Sequence, residues 1–145
     1  MSSWRDTASP ECQSDMDTLL NAALPFAQQQ LVEHGEFFPY GVAMKRDGRT
    51  GMVAGYAGTE RPPSTEVLDV IYEGLRSKAD ENRGAAVVAD VRLRGEETDA
   101  IQVEVEHRDG IALKIFLPYR KQRFGGGIET GEMRTEAGER RIWSR

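Results

Sequence analysis

Residues 85–117 read AAVVADVRLRGEETDAIQVEVEHRDGIALKIFL and contain three runs in which apolar and polar side chains alternate. Alternation with a period of two is typical of a strand with one buried face, because successive side chains of a strand point to opposite sides. The stretch therefore predicts a three-stranded antiparallel meander. Its buried face is predicted to carry the odd-numbered apolar residues Val87, Ala89, Val91, Leu93, Ile101, Val103, Val105, Ile111, Leu113, Ile115 and Leu117.

The turn between the last two runs sets their register. A two-residue loop would pair Val105 with Lys114, which places a core residue and a surface residue on the same side of the sheet. A three-residue loop at 108–110 instead pairs Val105 with Leu113, provided that Gly110 adopts the left-handed conformation of a G1 bulge. We therefore predict the three-residue loop.

Upstream of the meander, the sequence predicts two helices and two strands. Ser14 is a good N-cap and Gly35 a good C-cap for the first helix, which Pro25 should kink or interrupt. Ser64 caps a second helix with a clear apolar stripe. The predicted elements are a helix at 14–35, strands at 38–45 and 51–56, and a helix at 64–84.

The element order α-β-β-α-β-β-β predicts an α+β fold, with a five-stranded antiparallel sheet and both helices on one face of it. Residues 14–119 form the predicted single domain. Residues 1–13 have few apolar side chains and no periodicity, so we expect a disordered leader. Residues 120–145 form a predicted Gly-rich tail of mixed charge.

This element order resembles that of the roadblock and profilin-like families. The resemblance implies a sheet order of 2-1-5-4-3, in which the strand from Ala85 to Arg94 lies at an edge. The strings GEFFPYG (35–41), EHRDG (106–110), FLPYRK (116–121) and GERRIW (138–143) are similar to strings in small, uncharacterised bacterial proteins, especially actinobacterial ones. That second resemblance implies no activity.

Composition narrows the classes of function. The chain of 145 residues has a net charge of −5, and because residues 120–145 are net basic, the acidic excess lies in residues 1–119. An acidic body repels phosphate, so we predict no nucleic-acid partner. With no apolar stretch long enough to cross a bilayer and no signal peptide, we predict a cytoplasmic protein that does not bind membranes.

The candidate site lies on the face of the meander opposite the helices. Charged side chains on neighbouring strands come close together there, so this face is a candidate ligand or partner surface. A solvated sheet face would have the same pattern, and the sequence leaves both interpretations open. The candidate residues are Arg92, Glu104, Glu106, His107, Lys114 and Phe116.

The sequence predicts no catalytic, cofactor or metal site. Glu106 and His107 are neighbours in one strand and point to opposite faces, so His107 is expected to pack at the end of the hairpin rather than act with Glu106 in acid/base chemistry. His34 is expected to cap a helix. Cys12 is the single cysteine, and it has no ligand-like spacing to either histidine. Gly125–Gly127 lacks the context of a phosphate-binding loop.

We therefore predict a non-catalytic protein-binding or regulatory module, of the adaptor or immunity type. The alternative is a small ligand-binding domain or enzyme that uses the polar face of the sheet. The predicted partner is a second copy of the chain, bound through the strand from Ala85 to Arg94, because an apolar edge strand without protection pairs with other chains.

Overall fold

The computed structural model describes residues 8–54, 64–122 and 127–143. The helices are α1 (Pro10–His34) and α2 (Ser64–Ser77), and a short 3-10 helix spans Ala79–Glu81. The strands are β1 (Tyr40–Lys45), β2 (Thr50–Ala54), β3 (Asn82–Leu93), β4 (Thr98–His107), β5 (Ala112–Lys121), β6 (Ile128–Thr130) and β7 (Arg134–Ala137). They form one antiparallel sheet in the order β2-β1-β3-β4-β5-β6, with β7 also paired to β5. The predicted α+β class is confirmed, but the described sheet has seven strands rather than the predicted five.

The predicted meander is also confirmed. β3 pairs with β4, and β4 pairs with β5, both in antiparallel register. Val105 lies opposite Leu113, and the His107 N–H donates to the Ile111 carbonyl at 2.8 Å. Gly110 has a φ of 106°, which an L side chain rarely adopts. The loop therefore has three residues, as the face alternation required.

The predicted edge position of β3 is wrong. Val88 pairs with Tyr40 of β1 on one side and with Val103 of β4 on the other, so β3 lies inside the sheet. All of residues 85–89 are buried. A continuous apolar run of this kind is typical of a strand that is covered on both faces, whereas an edge strand with one wet face alternates strictly. The strand from Ala85 to Arg94 therefore has no free edge through which the predicted dimer could form.

The two helices pack on opposite faces of the sheet, so their predicted position on one face is wrong. The register pairs Val88 with Val103, which places the even-numbered residues of β3 on the same face as the odd-numbered residues of β4. α1 packs on that face, and α2 packs on the other, over Ala85 and Val87. The odd-numbered prediction holds for β4 and β5, where Ile101, Val103, Val105, Leu113, Ile115 and Leu117 lie under α1.

α1 begins at Pro10, earlier than the predicted start at Ser14. Ser9 is the N-cap, and its Oγ accepts a hydrogen bond from the Cys12 N–H at 3.1 Å. Proline is favoured at the first helical position because its missing N–H would have no partner there. Residues 8–13 of the predicted leader are therefore ordered by this cap, and residues 1–7 lie outside the described part of the chain.

α1 continues across Pro25 as one helix, so the predicted restart does not occur. It ends at Gly35, as predicted, where a φ of 75° allows the Gly35 N–H to donate to the Leu31 carbonyl. α2 ends at Ser77 rather than at Gly84, which already belongs to β3. Neither described helix is long and apolar enough to cross a membrane.

The segment predicted as a tail adds structure to the sheet. β5 runs on to Lys121, and β6 and β7 pair with its outer edge. At Gly138 the chain passes so close to β5 that a Cβ there would lie 2.9 Å from the Leu113 carbonyl carbon. Any larger residue at this position would therefore push the chain away from β5. The core thus extends beyond residue 119. Gly125 and Gly126 of the predicted flexible joint lie outside the described residues, as do residues 55 and 56 of the second predicted strand.

Candidate functional site

The polar face that the sequence predicts to be open is covered. Glu104 and Glu106 point to the face on which α2 packs, and residues 141–143 cross the same face. Ile142 is buried against the side chains of α2, and Glu106 is only 4% exposed. These two carboxylates therefore lie inside the molecule rather than on an accessible surface.

Glu106 holds three successive backbone N–H groups. Arg141 donates to Oε1 at 2.8 Å, Trp143 donates to Oε2 at 2.8 Å, and Ile142 donates to both oxygens at 3.0 and 3.2 Å. We call residues 141–143 the C-terminal clasp. Hydrogen bonds to a charged acceptor are about twice as strong as neutral ones, so a single side chain fixes the path of this segment.

The C-terminal clasp also contacts α2 and the turn that follows it. The Trp143 indole Nε1–H donates to the Ala79 carbonyl at 3.0 Å, and Arg76 Nε donates to the Arg141 carbonyl at 2.7 Å. The clasp therefore joins β4 to α2, two elements that share few other polar contacts in the described structure.

Glu104 lies beside Glu106 in this layer. Its carboxylate accepts from the Tyr72 hydroxyl at 3.1 Å and from Gln102 Nε2 at 3.1 Å, and Arg141 Nε lies 3.6 Å away. The Arg141 guanidinium also lies 5.3 Å from the centre of the Tyr72 ring. Burial and the neighbouring Glu104 carboxylate raise the pKa of Tyr72, so its hydroxyl stays a donor at neutral pH.

The remaining residues of the predicted site do not join this pair. Arg92 lies on the opposite face of the sheet and is paired with Glu97 at 3.3 Å and Asp99 at 3.2 Å. Lys114 is half-buried opposite Glu104 in the register, and Phe116 is buried further along β5. Lys114 and Phe116 thus share the face of Glu104 and Glu106, whereas Arg92 lies on the other face because β3 contributes the opposite parity to each face.

His107 belongs to a buried polar network under the N-terminal part of α1. Its Nε2 lies 2.9 Å from Asp15 Oδ2, and the other Asp15 oxygen accepts from Arg83 Nη2 at 2.8 Å. The Asp109 N–H donates to His107 Nδ1 at 3.1 Å. Because Nδ1 accepts, the proton of the neutral ring lies on Nε2 and points to Asp15. As predicted, His107 and Glu106 face opposite sides.

Cys12 completes this cluster, which the sequence did not predict. Its Sγ, a ring nitrogen of His107 and a carboxylate oxygen of Asp109 lie within 4.8 Å of one another. Burial, followed by the charges of Asp109 and Asp15, raises the pKa of Cys12 to about 11. The thiol is therefore protonated at neutral pH and is a poor nucleophile, but thiol, imidazole and carboxylate together are metal ligands.

The free edge of the described sheet is β2, which pairs only with β1. Its residues, TGMVA at 50–54, include no charged side chain and no proline. β7 at the other end of the sheet carries Arg134 and Glu136. Since charges and proline protect edge strands from pairing with other chains, β2 is the unprotected edge.

A groove of about 340 Å³ lies between β2 and the C-terminal half of α2. Val53 and Leu75 contribute apolar surface to it, and Lys45 and Lys78 lie at its margin. A Cβ added at Gly51 would meet no atom of the described residues within 4 Å, so none of these residues fills the space over it. The groove is continuous with the unprotected edge.

No family model, no curated protein and no solved structure matches this chain. The resemblances in element order and in sequence strings therefore stay predictions, and function has to be argued from the chemistry of the molecule itself.

Proposed function

We propose that the protein is a non-catalytic protein-binding module of the regulatory adaptor type, which works as a two-fold dimer built by pairing the β2 strands of two copies. The observation that carries this proposal is the uncharged, proline-free edge of β2. An exposed edge of this composition can pair with a strand of another chain, because its outward N–H and C=O groups have no protection.

The hairpin geometry identifies which backbone groups of β2 point outward. The Lys45 N–H donates to the Arg49 carbonyl at 2.8 Å, so these residues form a hydrogen-bonded pair. Such pairs alternate with non-hydrogen-bonded pairs along an antiparallel ladder. The backbone groups of Thr50, Met52 and Ala54 therefore point away from β1 and are available to another strand.

The edge is self-complementary. An antiparallel pair centred on Met52 joins the outward groups of one copy to those of the other and satisfies them all. In the same register, Val53 of each copy lies opposite Gly51 of the other, in a non-hydrogen-bonded pair where side chains approach most closely. The missing side chain at Gly51 leaves room for that valine beside the groove. No like charges face each other within the paired residues.

The internal use of the polar side chains supports a non-catalytic role. Glu106 and Glu104 are occupied by the C-terminal clasp and by Tyr72. An enzyme or ligand-binding domain that used the polar face would need these groups to be free. The alternative function is therefore less well supported than the protein-binding one.

Met52→Pro is expected to convert the dimer into a monomer. Proline at this position removes an outward N–H and leaves the hydrogen bonds to β1 in place, so the fold should keep its circular dichroism spectrum. Gly51→Glu tests the same edge by another route, because it places a carboxylate opposite the other copy's Val53. The measurement is the molar mass by light scattering from micromolar to sub-millimolar concentration.

The matched control is Thr135→Pro, which removes an outward N–H from β7 at the charged edge. We expect a mass of about twice 16.2 kDa for the unmodified chain and for this control, and a monomer for both β2 variants. An unmodified chain that stays monomeric over the whole range contradicts the proposal, as does a dimer that survives both substitutions.

A further inference from the structure

We infer that Cys12, His107 and Asp109 form a binding site for a divalent transition metal of the zinc class. The site lies where the first turn of α1 meets the turn between β4 and β5, away from the β2 edge. It does not depend on the proposed dimer.

The donor atoms suit such an ion in type and in spacing. Thiolate, imidazole and carboxylate are the three side-chain ligands that Zn²⁺ takes in proteins. A tetrahedral ion with bonds of about 2.0–2.3 Å holds its ligand atoms roughly 3.5 Å apart. His107 Nδ1 and Asp109 Oδ2 are already 3.7 Å apart, and all three donors lie within 4.8 Å of one another. The donors would have to approach one another by about 1 Å more for all three to bind one ion.

The residues that would orient His107 as a ligand are already in contact with it. Histidine ligands of metals usually donate their other ring N–H to a carboxylate, which fixes the tautomer and the orientation of the ring. His107 Nε2 meets Asp15 in this way at 2.9 Å, and Arg83 in turn holds Asp15. Asp15 and His107 are each about nine-tenths buried or more. The lone pair on Nδ1 is thereby presented to Asp109, whose backbone N–H and side-chain Oδ2 lie 3.1 and 3.7 Å from it.

A second observation, the buried Cys12 thiol, also points to a ligand. It is 1% exposed, and within the described residues no hydrogen bond reaches its sulfur. The carboxylate of Asp109 lies within 4.8 Å of the sulfur, and its negative charge favours a cation at this point. On binding, the sulfur–hydrogen bond breaks, the proton leaves to solvent and a metal–thiolate bond forms.

One existing contact has to give way. The Asp109 N–H now donates to His107 Nδ1, and the metal would replace this hydrogen bond with a bond to the same lone pair. The Asp109 side chain is 61% exposed, so the turn has room to adjust and a water molecule can complete the coordination. Three protein ligands would leave one coordination position to water, so the centre would not be closed by protein ligands alone.

The experiment uses Co²⁺ as a spectroscopic probe and Zn²⁺ as its competitor. Full-length protein stripped with a chelator is titrated with Co²⁺, and absorption is recorded in the near ultraviolet and the visible. We expect one ion per chain, a thiolate-to-cobalt charge-transfer band, the ligand-field bands of a tetrahedral ion, and loss of all these bands when Zn²⁺ is added. Zn²⁺ should also raise the Tm by several degrees, since it binds the folded state.

Two variants identify the ligands. Cys12→Ser should abolish the charge-transfer band. Asp109→Asn changes an exposed side chain, so folding is not at risk, and it should weaken Co²⁺ binding by about 100-fold or more, beyond the roughly 10–100-fold that losing a residue which only orients a ligand costs. Asp47→Asn alters the corresponding exposed aspartate of the other hairpin and should change nothing.

The pH dependence gives a further readout. Binding releases the Cys12 proton. The other titratable and charged groups of this cluster are His107, Asp15, Asp109 and Arg83. The apparent affinity should rise with pH, because forming a metal–thiolate bond releases a proton. Stoichiometric Co²⁺ uptake without a thiolate band, no uptake at all, or an Asp109→Asn variant that binds as tightly as the unmodified chain overturns the proposal.

Discussion

Replacing Val103 with Asp is expected to remove most of the stability of the fold. Val103 is fully buried in the middle of β4 and packs in the cluster under α1. The substitution loses the burial of one valine, about 1.5–3 kcal/mol, and buries a carboxyl group without a partner, about 2–7 kcal/mol. A loss of at least about 3.5 kcal/mol is a large share of the roughly 5–15 kcal/mol that stabilise a typical domain.

Urea denaturation followed by circular dichroism measures this loss. Thr98→Asp serves as the control, because Thr98 is half-exposed at the start of the same strand, and its cost should stay below about 1 kcal/mol. The low dielectric around position 103 raises the pKa of the introduced carboxyl in the folded state. The penalty should therefore shrink as the pH falls from 8 to about 5, where the neutral form is favoured. If the two variants lost the same free energy of unfolding, the odd-numbered residues of β4 would not form its covered face.

The meander and its turn were predictable because their signals are local. Alternation identifies each strand, and the conflict between Val105 and Lys114 in a two-residue loop identifies the register. The position of α2 was not predictable in the same way. Residues 85–89 have no polar side chain among them, so both parities of β3 fit a buried face, and the sequence does not say which parity meets α1.

The interior position of β3 follows from the same run of residues. An apolar strand covered on both faces needs two neighbouring strands as well, and β1 supplies the second one. The argument about unprotected edges is sound, but it applies to β2, where the sequence TGMVA offers neither charge nor proline. The continuous apolar run at the start of β3 indicates a strand that is covered on both faces, whereas we interpreted this strand as an alternating one.

The polar contacts of the candidate site were beyond the reach of sequence reasoning for a different reason. Glu106 is bonded to residues more than thirty positions further along the chain, and His107 to Asp15 near the start of α1. No spacing rule connects them, because the contacts depend on where α1 and the C-terminal clasp cross the sheet. The cluster of Cys12, His107 and Asp109 is hidden in the same way, since two elements distant in sequence supply its donors.

Glu106→Gln is expected to release the C-terminal clasp and to destabilise the protein by about 2–4 kcal/mol. The amide keeps the size of the side chain, but it has one acceptor oxygen where the carboxylate has two, and its NH₂ group meets a backbone N–H that needs an acceptor. The glutamine cannot accept hydrogen bonds from all three backbone N–H groups of residues 141–143. The segment should therefore detach and expose Ile142 to water. Amide hydrogen exchange of these three residues should rise about 100-fold, while the central residues of β4 remain protected as far as global stability allows.

Arg141→Ala provides the comparison. It removes the ion pair with Glu104 and the stacking on Tyr72, but the backbone N–H of residue 141 still donates to Glu106. We expect a cost below about 1 kcal/mol, because the guanidinium is partly exposed, and exchange at residues 142 and 143 should stay slow. If the two variants lost the same stability and released the segment equally, the side chain of Arg141 rather than the carboxylate of Glu106 would hold the clasp. Slow exchange in Glu106→Gln would instead assign the attachment to the Trp143–Ala79 hydrogen bond and the burial of Ile142.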